Sequence, residues 1–326
     1  MLSMKALPRL TLLAALAAVI PLVGCGGPAA EWPDRPGPKV MASFPPLYCF
    51  AQNVAGDDAV VKTAMSNQGP HHFDPKPSDA RRITQADLFV INGLGLDEMI
   101  AQKMKGGSGN LDLKIVNLGE RFKPEELEEG CACVHDHGHG HAHAHEHAID
   151  PHVWLGIEYA VRQVEGIRDA LKESDPAHAD GYDRRAAEYV ARLKKLEADG
   201  KELLQGKKNR RFVTFHGSLT YFAKTFDLEI ADVIQKVPGQ EPTAKELTKL
   251  VETCKANKVR VIAVEPQYSG QSSAQRILDE LRRQGVEDPV LVEIDPLETA
   301  RDEDLSTGWY EAKMRENLTN LAGALK

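Results

Sequence analysis

No stretch of this chain is apolar for long enough to cross a bilayer. The longest, Leu10 to Val23, is broken only by Thr11 and runs for about 14 residues, where a spanning helix needs roughly 20. An excess of positive charge is also missing: 40 Lys and Arg stand against 48 Asp and Glu, a formal net charge of −8. That balance leaves no electrostatic footprint for a nucleic-acid partner and suits a cation as ligand. There is no His-Glu-x-x-His helix and no nucleophile motif, so the familiar signatures of a hydrolase are absent. Cysteine is scarce, five in 326 residues, and a body of this size does not need disulfides to stay folded.

What is present begins with a leader. Lys5 and Arg9 are the only charges before Glu31, and the apolar run after them ends in Leu22-Val23-Gly24-Cys25. A basic segment, an apolar segment and a small-residue cleavage site are the layout of an export signal, here residues 1–24. Its end resembles a bacterial lipobox, which would leave Cys25 as the lipidated first residue. Gly26 to Pro38 is rich in Gly, Pro and Ala, so residues 25–38 are expected to form a flexible tether between lipid and folded body. Of the other cysteines, Cys49 and Cys254 read as buried apolar fillers. Cys131 and Cys133 border a histidine tract, where metal contact is conceivable.

Eight short apolar runs followed by turn or helix signals read as strands. They are Lys39–Phe44, Val60–Met65, Leu88–Gly93 and Lys114–Leu118, then Arg211–His216, Leu228–Val233, Arg260–Glu265 and Val290–Asp295. Helical patterns alternate with them; Thr243-Ala244-Lys245-Glu246 is a capping box opening one. Such alternation predicts an α/β chain of two similar lobes, each a mainly parallel four-stranded sheet flanked by helices. Between the halves, Ala179 to Gly206 places Tyr182, Ala186, Tyr189, Val190, Leu193, Leu196 and Leu203 on a 3.6-residue period without proline. This predicts one long rigid helix joining the lobes. The expected organisation is a first lobe over 39–178, a linking helix over 179–208 and a second lobe over 209–326.

Histidine occupies every second position from His135 to His147. With acidic Glu125 to Glu129 before it, this segment cannot build a packed core and is expected to be a loop, 131–149, inserted in the first lobe. Its imidazoles would take Zn²⁺, Cu²⁺ or Ni²⁺ without fixed geometry, either gathering metal near a primary site or serving as a dispensable insert. Three histidines elsewhere stand at or beyond strand ends. Pro70-His71-His72 follows the second strand, Asp150-Pro151-His152 precedes a helix, and His216 closes the fifth strand. Asp295 closes the last strand at the matching place. In open α/β sheets that edge forms the ligand crevice, so a cleft between lobes could gather all four. Three imidazoles and a carboxylate suit Zn²⁺, whereas Mn²⁺ sites lean toward oxygen. Spacing alone does not choose between His71 and His72, and His178 reads as a surface residue.

These motifs resemble the zinc-binding solute receptors of bacterial ABC importers, the cluster A-I group, which also contains manganese receptors. The resemblance runs from about Lys39 to the C-terminus. Phe44-Pro45-Pro46-Leu47-Tyr48 and Val54-Ala55-Gly56-Asp57 are similar to the family's opening strand and helix. Pro70-His71 through Pro77-Ser78-Asp79, Asp150-Pro151-His152-Val153-Trp154-Leu155 and His216-Gly217-Ser218-Leu219-Thr220-Tyr221-Phe222 resemble its three ligand motifs. Glu265-Pro266-Gln267-Tyr268-Ser269 and Asp295-Pro296-Leu297 are similar to its late motifs.

The family pattern puts the first ligand directly after proline, which selects His71. A histidine rather than glutamate at the third position, His216, sides with zinc, as does the His-rich insert. The resemblance leaves the fourth ligand among Asp295, a nearby carboxylate and water. Cys254 has no later cysteine to pair with, unlike zinc members that carry a disulfide in that lobe. What the resemblance implies is a non-enzymatic, exported Zn²⁺ receptor, monomeric and held to the membrane by its N-terminal lipid. It would deliver zinc to a membrane permease with its cytoplasmic ATPase. The competing readings are a Mn²⁺ or Fe²⁺ receptor of the same family, a zinc hydrolase, and an adhesin that buffers metal.

Overall fold

The computed structural model of the chain describes residues 32–130, 149–236, 240–266 and 272–326. The expected leader, Cys25, nearly all of the His-rich loop with Cys131 and Cys133, and the motif residues Gln267-Tyr268-Ser269 lie outside the described residues.

All eight expected strands form, in two sheets. The first holds β1 (Lys39–Ala42), β2 (Val60–Thr63), β3 (Leu88–Ile91) and β4 (Lys114–Asn117) in the order β2-β1-β3-β4. The second holds β5 (Arg211–His216), β6 (Glu229–Gln235), β7 (Val261–Val264) and β8 (Val290–Glu293) in the order β6-β5-β7-β8. Every pairing is parallel. Parallel strands covered on both faces are apolar throughout rather than alternating; Leu88 to Ile91 and Val261 to Val264 are buried at every position. In each sheet the chain winds outward on both sides of a central strand pair, β1 with β3 and β5 with β7. A crevice opens beyond the carboxyl ends where the winding reverses.

Nine α-helices are described: α1 (Pro45–Ala55), α2 (Pro77–Arg82), α3 (Glu98–Ser108), α4 (Ile157–Ser174), α5 (Ala179–Leu203), α6 (Thr220–Thr225), α7 (Ala244–Ala256), α8 (Ser272–Arg283) and α9 (Trp309–Ala324). The capping box expected before α7 is made. Thr243 Oγ1 accepts from the Glu246 N–H at 3.3 Å, and Glu246 Oε2 accepts from the Thr243 N–H at 2.9 Å. Trp32, within the stretch expected as tether, is buried, and its indole N–H donates to the Arg82 carbonyl at 3.1 Å. Cys49 and Cys254 are buried free thiols, as fillers should be.

The long helix is α5, 25 residues or about 38 Å at 1.5 Å per residue. It buries Tyr182, Ala186, Tyr189, Leu193 and Leu196 and packs on α1 and α4 of the first half and on α9 at the chain's end. One continuous core runs from the first sheet through α5 to Phe212, Val292 and α9. The helix is therefore a spine clasped from both halves. A stiff element buried along its length limits how far the lobes can swing apart.

Gly200 marks the tightest approach to this spine: a Cβ there would lie 2.6 Å from the Phe226 ring and 2.8 Å from Leu318 Cδ1. Alanine is the better helix former by about 1 kcal/mol, yet overpacking a fixed ring costs about 1–3 kcal/mol. Gly200→Ala should therefore lower the thermal midpoint. In α3, where nothing lies within 4 Å of a Cβ at Gly106, Gly106→Ala should raise it. Circular-dichroism melts of the two variants check the opposite signs.

Candidate metal centre

The carboxyl-end crevices of the two sheets face each other, and the chain delivers one polar side chain to that place four times. After β2, Pro70 opens a single 3-10 turn over Pro70–His72 that carries His71 inward. His152 stands just before the 3-10 turn Val153–Leu155 that leads into α4, and His216 is the last residue of β5. The fourth arrival is Glu298, beyond β8. His71, His152, His216 and Glu298 are all buried, and their donor atoms lie within 4.8 Å of one another.

Individual distances are tighter. His71 Nε2 and His152 Nε2 are 3.0 Å apart. Glu298 Oε1 is 3.4 Å from each of them and 3.7 Å from His216 Nε2. Four donors held tetrahedrally at zinc's bond lengths of about 2.0–2.1 Å are separated by roughly 3.3 Å. These four separations, 3.0–3.7 Å, bracket that spacing, and all the donors lie within 4.8 Å of one another, close enough to share one small cation.

Two of the imidazoles are held in an orientation that suits ligation. Asp150 Oδ1 accepts from His152 Nδ1 at 2.7 Å and from its backbone N–H at 2.9 Å, while Glu265 Oε1 takes His216 Nδ1. A proton fixed on Nδ1 turns the Nε2 lone pair toward the centre, the carboxylate–histidine arrangement that supports metal ligands. His216 Nε2 and Glu298 Oε1 are buried and make no hydrogen bond of acceptable geometry. Buried polar atoms left so are expensive unless something satisfies them, and a cation at the centre would.

Electrostatics agree with a site built around positive charge. Burial works against a proton on His152, but the Asp150 and Glu298 carboxylates more than reverse it and push the pKa up to about 10. His216 is raised in the same way: burial opposes the charge and Glu265 restores it. Glu298 is pulled well below the carboxylate range because the His71, His152 and His216 imidazoles outweigh its burial. All three shifts run in the direction that favours positive charge among these groups.

Of the residues expected from the sequence, His71, His152 and His216 come together. Asp295 does not join them. Its Oδ1 accepts from the Leu297 N–H at 2.8 Å, and its backbone is clamped by Asn317, whose amide accepts from the Asp295 N–H at 2.8 Å and donates to its carbonyl at 2.7 Å. Burial raises the Asp295 pKa to about 6, opposed by the Leu297 hydrogen bond and Lys313. The residue builds a turn. Leu297 sits at φ 64, a left-handed conformation that disfavours a leucine,. That turn swings Glu298 into the cluster, so the acid closing the strand shapes the loop and the acid three residues later fills the site. Asp150 and Glu265 stood inside recognised motifs, but nothing in the sequence assigned them to support the histidines. An acid two residues before His152 was the available hint.

Two α/β lobes on a shared spine, with a buried imidazole-and-carboxylate cage between them, define a solute-binding protein whose cleft is suited to a metal cation. Residues 40–324 match the family described as zinc-uptake complex component A, periplasmic, and the chain belongs to that family. It is 30% identical over 310 residues to the high-affinity zinc uptake system protein ZnuA of Bacillus subtilis, covering 93% of each. Zinc-binding protein AdcA of Streptococcus pyogenes is 29% identical over 296 residues, 87% of this chain and 55% of AdcA. The chain thus spans about half the length of that relative. Among solved structures, the solute-binding protein FpvC of Pseudomonas aeruginosa, in complex with Mn²⁺, superposes with a TM-score of 0.72 at 27% identity, covering 89% of this chain and 98% of that one. Among the described residues no helix is long and apolar enough to cross a membrane.

Removing the Asp150 charge should release the His152 proton. In the metal-free protein, NMR titration of the His152 imidazole is expected to give a midpoint far above the ordinary 6.5, and Asp150→Asn should bring it down sharply. An unchanged midpoint would mean that Asp150 does not hold the ring.

Proposed function

We propose that the chain is an extracytoplasmic receptor that captures Zn²⁺ in the inter-lobe cage and delivers it to an ABC-type importer, a membrane permease with its cytoplasmic ATPase. The observation that carries this is the buried convergence of His71, His152, His216 and Glu298, three nitrogens and one oxygen within 4.8 Å of one another. Family membership and the zinc-uptake names of the relatives support the same cargo. Metal here is cargo, not a cofactor, and the protein binds without catalysing. A hydrolytic zinc would need an open coordination position for water, and Glu298 fills the fourth. The export leader and the lipid on Cys25 would keep the receptor, as a monomer, at the outer face of the cytoplasmic membrane.

The second reading, a Mn²⁺ or Fe²⁺ receptor, has the FpvC complex in its favour. Manganese prefers more ligands and more oxygen than this cage supplies. Competition between the ions on the purified protein decides: tighter Mn²⁺ than Zn²⁺ binding would overturn the choice of cargo.

The ligand assignment has its own test. By chelator competition, one Zn²⁺ should bind tightly to the wild type. His216→Ala or Glu298→Ala should weaken it by more than about 100-fold, since even supporting partners are worth 10- to 100-fold. Asp295→Asn, which alters only the turn, should weaken it far less; the reverse order would make Asp295 the ligand.

Acidity gives a further check. Metal must displace the protons that the raised pKa values of His152 and His216 hold in the empty site. Affinity should therefore climb with pH through neutrality and fall steadily as protons win below it. A flat affinity from pH 5 to 9 would contradict imidazole ligation.

A further inference from the structure

The loop that carries His152 is held from two sides. Within its own lobe, the Asn92 side chain donates to the Pro151 carbonyl at 2.9 Å and is itself steadied by Gln163, whose amide donates to Asn92 Oδ1 at 2.9 Å. From the other lobe comes Tyr221, on α6, five residues after His216. Its hydroxyl donates to the Asp150 carbonyl at 2.9 Å and accepts from the Glu128 N–H at 3.1 Å. Asp150 is the residue whose carboxylate orients the His152 ring.

Tyr221 is fully buried, its ring crossing that of Tyr159 edge-on at 4.7 Å and packing in a small apolar cluster with Phe122 and Val153. The same strip is closed in. The Asp150 N–H donates to the Glu128 carbonyl at 2.9 Å, and Glu129 pairs with Ile149. One helical turn beyond the His216 loop, the second lobe thus inserts a side chain that fixes the backbone under the second histidine. The link is short: His216, Tyr221, Asp150, His152.

We propose that Tyr221 is a positioning residue for cargo release: it ties the His152 loop to the second lobe, so that His152 and His216 stay converged on the cation and release requires this tie to yield. The inference rests on the zinc-receptor reading above. It makes the hydroxyl, which touches no metal ligand, a determinant of the release rate. The aromatic ring alone supplies packing. Tyr159 is the natural control: it stacks on Tyr221 and its hydroxyl donates to the Glu126 carbonyl at 2.5 Å, but it makes no bond to Asp150.

The test uses the full-length protein with Tyr221→Phe and Tyr159→Phe. Zinc release into excess chelator is followed by stopped flow, and the visible absorption of the Co²⁺-loaded protein reports ligand geometry. Loss of one or two buried hydrogen bonds should speed release by about tenfold in Tyr221→Phe, with shifted Co²⁺ bands. Tyr159→Phe should stay within about twofold of wild type with unshifted bands, although it loses a comparable bond. Metal-free melting temperatures of the two variants should be lowered alike. Wild-type release and spectrum in Tyr221→Phe, or equal effects from both variants, would overturn the coupling while leaving the receptor reading intact. Absence of tight zinc binding in the wild type would instead remove the receptor reading, and this inference with it.

Discussion

Three imidazoles and a carboxylate pointed at one buried spot are an unfavourable arrangement without a positive charge among them. Each buried polar atom without a partner costs about 1–3 kcal/mol, and His216 Nε2 and Glu298 Oε1 are two such atoms. Carboxylates behind the rings add to the demand: Asp150 and Glu265 place further negative charge beside these buried donors. Protons on the imidazoles would answer part of it, the direction in which, against burial, the neighbouring groups move the His152 and Glu298 pKa values. A divalent cation meets it better, because it satisfies four donors at once. The scaffold has to keep these donors converged against their mutual repulsion, and the rest of the fold follows from that requirement.

The spine is the first consequence. A ligand set drawn from both lobes holds its geometry only if the lobes have a fixed relation. α5 supplies it through contacts to α1, α4 and α9 and a core that does not stop at the lobe boundary. Cross-lobe ties near the site reinforce it. The Trp154 indole donates to the Pro296 carbonyl at 2.8 Å, Tyr310 donates to the Trp154 carbonyl at 2.6 Å, and the Ala300 N–H reaches the Ser66 carbonyl at 2.6 Å. The loop that presents Glu298 is thereby stitched to the loop that presents His152 and to the strand end that precedes His71.

Most of the fold was legible because it rests on strong local signals. Leu88 to Ile91 and Val261 to Val264 are continuous apolar runs bounded by turns, and the Thr243 capping box writes its helix start into four residues. The strands ended earlier than expected at several carboxyl ends, since residues such as Ser43 and Phe44 are buried in the loop beyond the ladder. His216 was legible for a physical reason: a ligand at a strand end inherits its place from the sheet, whereas His71 and His152, set by 3-10 turns, were legible through the proline motifs around them. Glu298 was not, because a turn rather than a strand sets its position. That turn needs Leu297 at positive φ, held by Asp295. A sequence pattern carries no mark for a leucine in that conformation. The supporting acids Asp150 and Glu265 escaped for the related reason that their role is defined by what they touch across the structure, not by spacing.

Selectivity can be argued from the same cage. Its donors are fixed before the cation arrives, so ordering costs little on binding, and an ion is chosen by how well it accepts four ligands at about 3.3 Å spacing. Zn²⁺, with no geometric preference of its own, accepts a tetrahedron of nitrogens and one oxygen. Larger oxygen-seeking ions would have to recruit water among donors that are all buried. Copper binds nitrogen more strongly still, following the Irving–Williams order, but prefers tetragonal geometry. Reaching it would place Glu298 opposite one imidazole, about 4 Å away, against the 3.4–3.7 Å it keeps from all three. The ring of His152 is pinned by Asp150, and the Pro151 and Asp150 carbonyls just before it by Asn92 and Tyr221, so displacing His152 would have to break several bonds together. Rigidity behind the ligands would thus act with the ligands' identity in turning an affinity for divalent metals into a preference for one.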